Sequence, residues 1–99
     1  MAFNVKILKR AELEVNEAIV YYKDIQPKLA ERFLTDYQNH LKTLKTIPYF
    51  EIKYQEIRKI SLKKFPYTIH FSVDELSELV LIHAVTCDYQ NPETTNVKP

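Results

Sequence analysis

The spacing of apolar residues changes past the middle of this chain, and the change limits the folds open to it. From Ala11 to Leu44 apolar residues recur every three or four positions, which is the period of a helix with one buried stripe. From Tyr67 they recur every second position, which is the period of a strand with one buried face. Pro48 lies between the two regions and ends the helical one, because the residue before a proline disfavours helical backbone angles. The pattern predicts an α+β fold in one domain of 99 residues.

Two helices are predicted between about residue 10 and residue 47. The first apolar stripe consists of Ala11, Val15, Ala18, Tyr22 and Ile25, and the second of Ala30, Phe33, Tyr37, Leu41 and Leu44. Pro27 suits the first turn of the second helix, because proline presets a helical φ angle. The link between the stripes is short, so the two helices are expected to form an antiparallel hairpin.

One short strand is predicted before the helices and three after them, in the order β-α-α-β-β-β. The first carries Phe3, Val5 and Ile7, and the others lie at about 57–62, 67–73 and 79–85. Imperfect alternation in 57–62 leaves room for a bulge, and the almost continuously apolar segment 79–85 is typical of a central strand. We therefore expect the helical hairpin on one face of a mostly antiparallel sheet of about four strands, with the other face open to solvent or a partner. The domain should span 1–92, with 93–99 as a frayed polar tail.

Composition excludes several kinds of site. The chain has no glycine, so it can form neither a P-loop nor a dinucleotide-binding turn, which need glycine where the backbone approaches phosphate. Its one cysteine, Cys87, fits a reducing compartment. The chain has no apolar run of about 18 residues and no secretory signal at its start, so we expect a cytoplasmic protein without a membrane segment. The histidines lack metal-ligand spacing, and we expect no metal and no cofactor.

Short phrases along nearly the whole chain resemble the RelE/ParE toxin superfamily. Residues 17–22 (EAIVYY) are similar to the family's E-A-x-x-Y-Y, and 30–33 (AERF) to its A-x-R-F. Residues 57–58 (IR) and 64–71 (KFPYTIHF) resemble its IR … RFPYxIxY hairpin, and 84–85 with 91–92 resemble the ends of its AVFHxxRNP segment. The resemblance implies the toxin of a type II toxin–antitoxin, or plasmid stabilisation, system with a separate antitoxin protein as partner.

The closing segment departs from the family pattern at two positions. Cys87 stands where these sequences often carry histidine, and Gln90 where they usually carry arginine. Some members of the family resemble ribosome-dependent endonucleases that cut messenger RNA, a reaction that needs a base and cations around the phosphate. Others resemble ParE, which poisons DNA gyrase by binding it and needs no acid–base pair. The two departures weaken the case for RNA cleavage.

Four residues remain candidates for a catalytic site. Arg58 can fork onto a phosphate, and Lys64 can guide RNA electrostatically. His70 alternates with Tyr67, Ile69 and Phe71, so it should point onto the open sheet face, where it is the best candidate for a general base. Tyr89 could stack on a base or donate a proton. Each also has a structural interpretation: a solvated charge, a surface or core histidine, or a packing aromatic.

Three hypotheses about function follow. The chain is a ParE-like toxin that binds a protein target such as DNA gyrase; or a RelE-like endonuclease acting on the ribosome and mRNA through Arg58, Lys64 and His70; or a member that only binds an antitoxin. The altered closing segment and the formal net charge of only +1 favour the first or the third. The first is preferred, and whether the chain is an enzyme stays open.

Overall fold

A computed structural model describes residues 3–46, 52–54 and 57–88, and in these residues two helices and five strands are found. In chain order they are β1 (Asn4–Ile7), α1 (Lys9–Ile25), α2 (Pro27–Thr46), β2 (Ile52–Tyr54), β3 (Ile57–Ser61), β4 (Tyr67–Asp74) and β5 (Leu79–Cys87). The predicted α+β architecture, with its helical hairpin and mostly antiparallel sheet, is confirmed. The short strand β2 is an addition at the sheet edge that the apolar spacing did not predict. The predicted domain end at 92 and the tail 93–99 lie outside the described residues.

The two helices bury the stripes that their apolar spacing predicts. Ala11, Val15 and Ala18 of α1 are buried, and so are Phe33 and Leu44 of α2. Leu41 is half-buried and packs on the same core. The hairpin reverses at Gln26, whose extended backbone ends α1 and whose N–H donates to the Tyr22 carbonyl over 2.9 Å.

Ile25 departs from the predicted stripe. It is the last residue of α1, and 60% of it is exposed. Because the chain reverses at Gln26, the helix has no further turn there to hold Ile25 against the core. The end of α1 therefore presents an apolar side chain at the tip of the hairpin.

The strands form one sheet in the order β1-β5-β4-β3-β2. β5 lies between β1 and β4, so it is an internal strand, and β4 takes the centre of the sheet. β1 pairs with β5 in parallel, with Val5 opposite Val80, whereas the other neighbours are antiparallel. A four-residue turn joins β4 to β5, and the Asp74 carboxylate accepts hydrogen bonds from the N–H groups of Leu76 and Ser77.

A register shift between β4 and β5 decides which side chains reach each face of the sheet. His70 pairs with Ala84 and Phe71 with Ile82, so His83 is an extra residue on β5. The shift keeps Ile82 and Val85 on the face that packs against the helices, and it moves Ala84 to the other face. The imperfect alternation in 57–62, which leaves room for a bulge, does not interrupt the pairing of β3 with β4, which is continuous over four residues.

Aromatic rings fill the space between the hairpin and the sheet. Fully buried Phe33 lies 5.1 Å from Tyr67, 5.5 Å from Phe65 and 5.6 Å from Tyr22, centroid to centroid. Tyr37 stacks on the same ring at 6.5 Å. These separations are those of favourable aromatic pairs. The packing function predicted for Tyr22, Phe33 and Tyr37 is confirmed.

Candidate functional site

The two faces of the sheet differ in chemistry. The core face, which packs on the helices, carries Ile69, Phe71, Ile82 and Val85. On the opposite face, cross-strand partners and hydrogen bonds bring together five polar side chains, which we call the polar face cluster: Thr68, His70, Ser72, His83 and Thr86. Strand alternation places Thr68, His70 and Ser72 there, as predicted, and the register shift adds His83.

His70 lies in the middle of this cluster and is almost completely shielded. Only 1% of the residue is exposed, and its Nε2 lies 2.7 Å from the Thr86 hydroxyl. Burial, together with the positive charges of Lys59 and Arg10 and the neighbouring His83, lowers the pKa of His70 to about 4. At neutral pH the ring is therefore uncharged.

The other members of the cluster are also paired. The Nε2 atom of His83 lies 2.7 Å from the Ser72 hydroxyl, and burial lowers the pKa of His83. The Thr68 hydroxyl donates to Asp88 over 2.6 Å. Paired polar groups of this kind, buried for His70 and Thr86 and exposed for Thr68 and Asp88, stabilise a sheet without needing a ligand.

The expectation that His70 points onto an open face is wrong. Its strand β4 is internal, with Lys59 of β3 and Ala84 of β5 as direct neighbours on the same face. Ile57 and Ala84 are fully buried as well, although neither belongs to the core between helices and sheet. A general base must come within hydrogen-bonding distance of its substrate, and a ring this shielded does not offer that access.

Arg58 and His70 do not share a face of the sheet. Residues directly opposite one another on paired strands lie on the same face. Arg58 is opposite Phe71 on the core face, whereas His70 is opposite Lys59. The structure therefore does not bring together the arginine and the histidine that an RNA-cleaving site on the sheet would use.

Lys64 lies on the α2 side of the molecule, in the connection between β3 and β4. Its backbone N–H donates to the Asp36 Oδ2 atom of α2 over 3.0 Å. Asp36 is buried and is also paired with His40, whose Nδ1 lies 3.3 Å from Asp36 Oδ1 and 2.7 Å from the Asp36 carbonyl oxygen. Our sequence analysis missed this pair, although an aspartate and a histidine four residues apart share one helix face.

The remaining positions singled out in the sequence lie at the end of β5. Cys87 is a half-buried free thiol beside a cavity of about 230 Å³, which Glu14, Tyr21 and Tyr67 also line. Tyr89 and Gln90 lie outside the described residues, so the candidate function of Tyr89 is untested. Within 3–46 and 57–88, no group of three or more metal-binding side chains is found, and no helix is long and apolar enough to cross a bilayer.

Helix α1 carries most of the large hydrophobic residues that are exposed in the described part of the chain. Among the residues whose side chains are described, six large hydrophobic residues are exposed, and four of them lie on α1: Leu13, Val20, Tyr21 and Ile25. Leu13 and Val20 are seven positions apart and so lie on the same outward side of the helix. Such apolar surface is typical of a protein-binding site.

The fold is similar to three solved toxin–antitoxin structures. A chain of the chromosomal ParDE TA system from P. aeruginosa superimposes with a TM-score of 0.76 at 15% identity, over 87% of this chain and 96% of that one. The isolated RelE toxin of E. coli gives 0.55 at 14% identity, over 95% and 93%. The RelBE2 toxin–antitoxin complex of Mycobacterium tuberculosis gives 0.53 at 12% identity, over 88% and 99%.

Sequence comparison alone does not detect this likeness. No protein-family model and no curated protein matches the chain. The likeness rests on the shared architecture, which covers nearly the whole length of each neighbour. The chain shares its fold with these ParDE, RelBE2 and RelE structures.

Proposed function

We propose that this chain is the toxin of a type II toxin–antitoxin system and that it acts as ParE does, by binding a protein target of the DNA gyrase class. The toxin function is supported by the fold, because the similar structures are toxins or toxin–antitoxin assemblies. The larger TM-score with the ParDE structure, 0.76 against 0.53 and 0.55, supports the ParE branch.

One observation carries the preference for binding over RNA cleavage: Arg58 and His70 lie on opposite faces of the sheet, and His70 is buried. Cleavage of a phosphodiester needs a base and a cation at the same phosphate. Lys64 does not restore such a centre, because its backbone is bonded to α2 on the core side. A toxin that inhibits by contact has no such requirement.

The proposed antitoxin has a suitable surface on α1. A disordered segment that folds on binding gains affinity by covering exposed apolar side chains, and α1 offers Leu13, Val20 and Tyr21. These residues contribute little to the folded state of the free chain, because more than half of Val20 and Tyr21 is exposed. They are therefore available for a partner.

We expect Val20→Glu to weaken binding of the antitoxin, taken as the product of the neighbouring gene, by about tenfold or more. A carboxylate buried in the interface without a partner weakens the binding free energy by at least as much as the loss of one hot-spot contact, on the order of 1–2 kcal/mol. Titration calorimetry with the purified pair measures the change. Leu76→Glu is the matched control, because it makes the same kind of change at a fully exposed turn residue away from α1. Equal affinity of Val20→Glu and wild type would exclude α1 as the antitoxin surface.

The target class is tested by inducing the chain in bacteria with and without the neighbouring gene. We expect growth arrest with altered DNA supercoiling and with protein synthesis continuing at first, and rescue by the neighbouring gene. No growth effect, with antitoxin binding intact, would favour the binding-only member of the family instead.

The RNA-cleaving alternative has its own test. We expect no messenger RNA cleavage above background by the purified chain on programmed ribosomes. Cutting by wild type that is lost in both Arg58→Ala and His70→Ala, each shown to be folded, would overturn the ParE proposal. Gln90→Lys is tested for a gain of cleavage in the same assay, because it restores a positive charge at the position where the family usually carries arginine.

A further inference from the structure

A second polar region lies on the other side of the molecule, between α2 and the connection that joins β3 to β4. There a cavity of about 420 Å³ opens to solvent. That volume lies within the usual range for small-ligand sites. It is lined by seven residues of α2 between Glu31 and Thr43 and by Lys63 and Lys64 of the connection. All nine side chains are polar or charged, so a ligand would be recognised there through hydrogen bonds and charge.

Two buried side chains that are paired with each other, Asp36 and His40, form the base of the cavity. Asp36 and His40 are each 7% exposed. Both carboxylate oxygens of Asp36 have a partner, with Oδ1 facing the His40 ring and Oδ2 accepting from the Lys64 N–H. The buried negative charge therefore serves to hold the ring and the β3–β4 connection in place.

The orientation of His40 leaves one ring nitrogen for a ligand. Nδ1 lies near two acceptors, the carbonyl oxygen and the carboxylate of Asp36, and so carries the ring proton. Nε2 is on the other side of the ring, and no hydrogen bond to it is recorded within the described part of the chain. A ring held by a carboxylate in this way presents Nε2 in a defined direction.

Three positive side chains line the same cavity. Arg32 lies one turn before Asp36 on α2, and Lys63 and Lys64 belong to the β3–β4 connection. In the described residues none of the three forms an ion pair, and Asp36 is already engaged by its own partners. Glu31 is the only other carboxylate in the lining, so the three cations outnumber the two carboxylates there.

We propose that this cavity binds a phosphate group, either as inorganic phosphate or as part of a small phosphorylated metabolite. The Arg32 guanidinium can fork onto two phosphate oxygens, and the two lysines supply further charge. A protonated phosphate oxygen can also donate to His40 Nε2, which a fully ionised acid such as sulfate cannot do at neutral pH. The proposal concerns α2 and the β3–β4 connection and does not depend on the toxin function.

The test is a titration of the purified full-length chain with inorganic phosphate, and separately with adenosine 5′-monophosphate, followed by amide NMR shifts and calorimetry. We expect saturable shifts at residues 32–43 and 63–64. The double variant Arg32→Gln/Lys63→Gln should bind phosphate at least about tenfold more weakly, as expected for the loss of charge-assisted hydrogen bonds. Equal affinity for the two ligands would indicate a site for free phosphate, and tighter binding of the nucleotide a site for a phosphorylated metabolite; both support the proposal.

The matched control is Lys42→Gln/Lys45→Gln, which removes the same charge from another part of the α2 surface, where both lysines line a different cavity. Its phosphate affinity should equal that of wild type. Equal weakening in both double variants would show a diffuse charge effect and overturn the proposal. So would the absence of saturable shifts, equal binding of sulfate, or binding of a glutamate-rich peptide without binding of phosphate.

Discussion

Acidification from pH 7.5 to pH 5 should lower the free energy of unfolding by about 2 kcal/mol through His70 alone. The unfolded imidazole titrates near 6.5, whereas burial beside Lys59, Arg10 and His83 lowers the pKa of His70 to about 4 in the folded protein. Between these two values the unfolded chain binds a proton that the folded chain does not. Unfolding is then favoured by falling pH.

The sign and range of the effect follow from the direction of the shift. Above pH 6.5 the ring is neutral in both states, so the stabilisation from its burial is fully present. It is lost progressively between pH 6.5 and pH 4, to a total of about 3 kcal/mol, since one pKa unit corresponds to about 1.4 kcal/mol. His83, whose pKa is also lowered by burial, acts in the same direction.

Urea unfolding at pH 7.5, 6.5, 5.5 and 5.0 measures this dependence. The variant His70→Gln removes the titrating group and keeps an amide that can bond Thr86, so the difference between wild type and variant isolates His70 from the carboxylates and from His83. We expect the variant to be less stable at pH 7.5 and to lose less stability on acidification. If the free energy of unfolding changed with pH in parallel for the two proteins, the pKa of His70 would not be lowered in the folded state. His70 would then again be a candidate for a general base.

Phe33→Ala should destabilise the protein by about 3–5 kcal/mol, the largest effect of any single substitution considered. Phe33 is fully buried and contacts Tyr22, Phe65 and Tyr67 through favourable ring geometry. Truncation leaves a cavity between the hairpin and the sheet and removes the aromatic pairs together. In a small domain with about 5–15 kcal/mol of total stability, such a loss is a large fraction of the whole.

Two further variants keep this prediction measurable if Phe33→Ala does not fold. Phe33→Leu retains most of the volume but no ring, and it should cost about 1–2 kcal/mol, part of it from the lost aromatic pairs. Val20→Ala, on the exposed side of α1, should change stability by less than about 0.5 kcal/mol. Urea midpoints at pH 7.5 give all three values. A Phe33→Ala variant as stable as Val20→Ala would mean that the ring cluster does not hold the hairpin to the sheet.

The amino-acid sequence was enough to predict every helix and strand except β2, and their order along the chain. The stripes from Ala11 to Ala18 and from Ala30 to Leu44, and the alternation from Tyr67 to Val73, depend on neighbours a few residues away, and each is found in the structure. The internal position of β5 could be predicted for a similar reason, because a strand that is apolar on nearly every residue needs cover on both faces. The family resemblance was likewise a matter of local phrases in order.

Only the tertiary structure decided which side chains meet. β1 lies beside β5 and not at the other edge of the sheet. The extra residue at His83 determines which side chains of β5 lie on each face. The pairing of β3 with β4 puts Arg58 opposite Phe71, and so away from His70. Lys64 and Asp36 are 28 residues apart in the chain and meet through one hydrogen bond. The spacing of apolar residues determines the local conformation of a segment. Packing between distant segments determines its strand partner, its register and its burial. Partner, register and burial together decide whether candidate residues form a site.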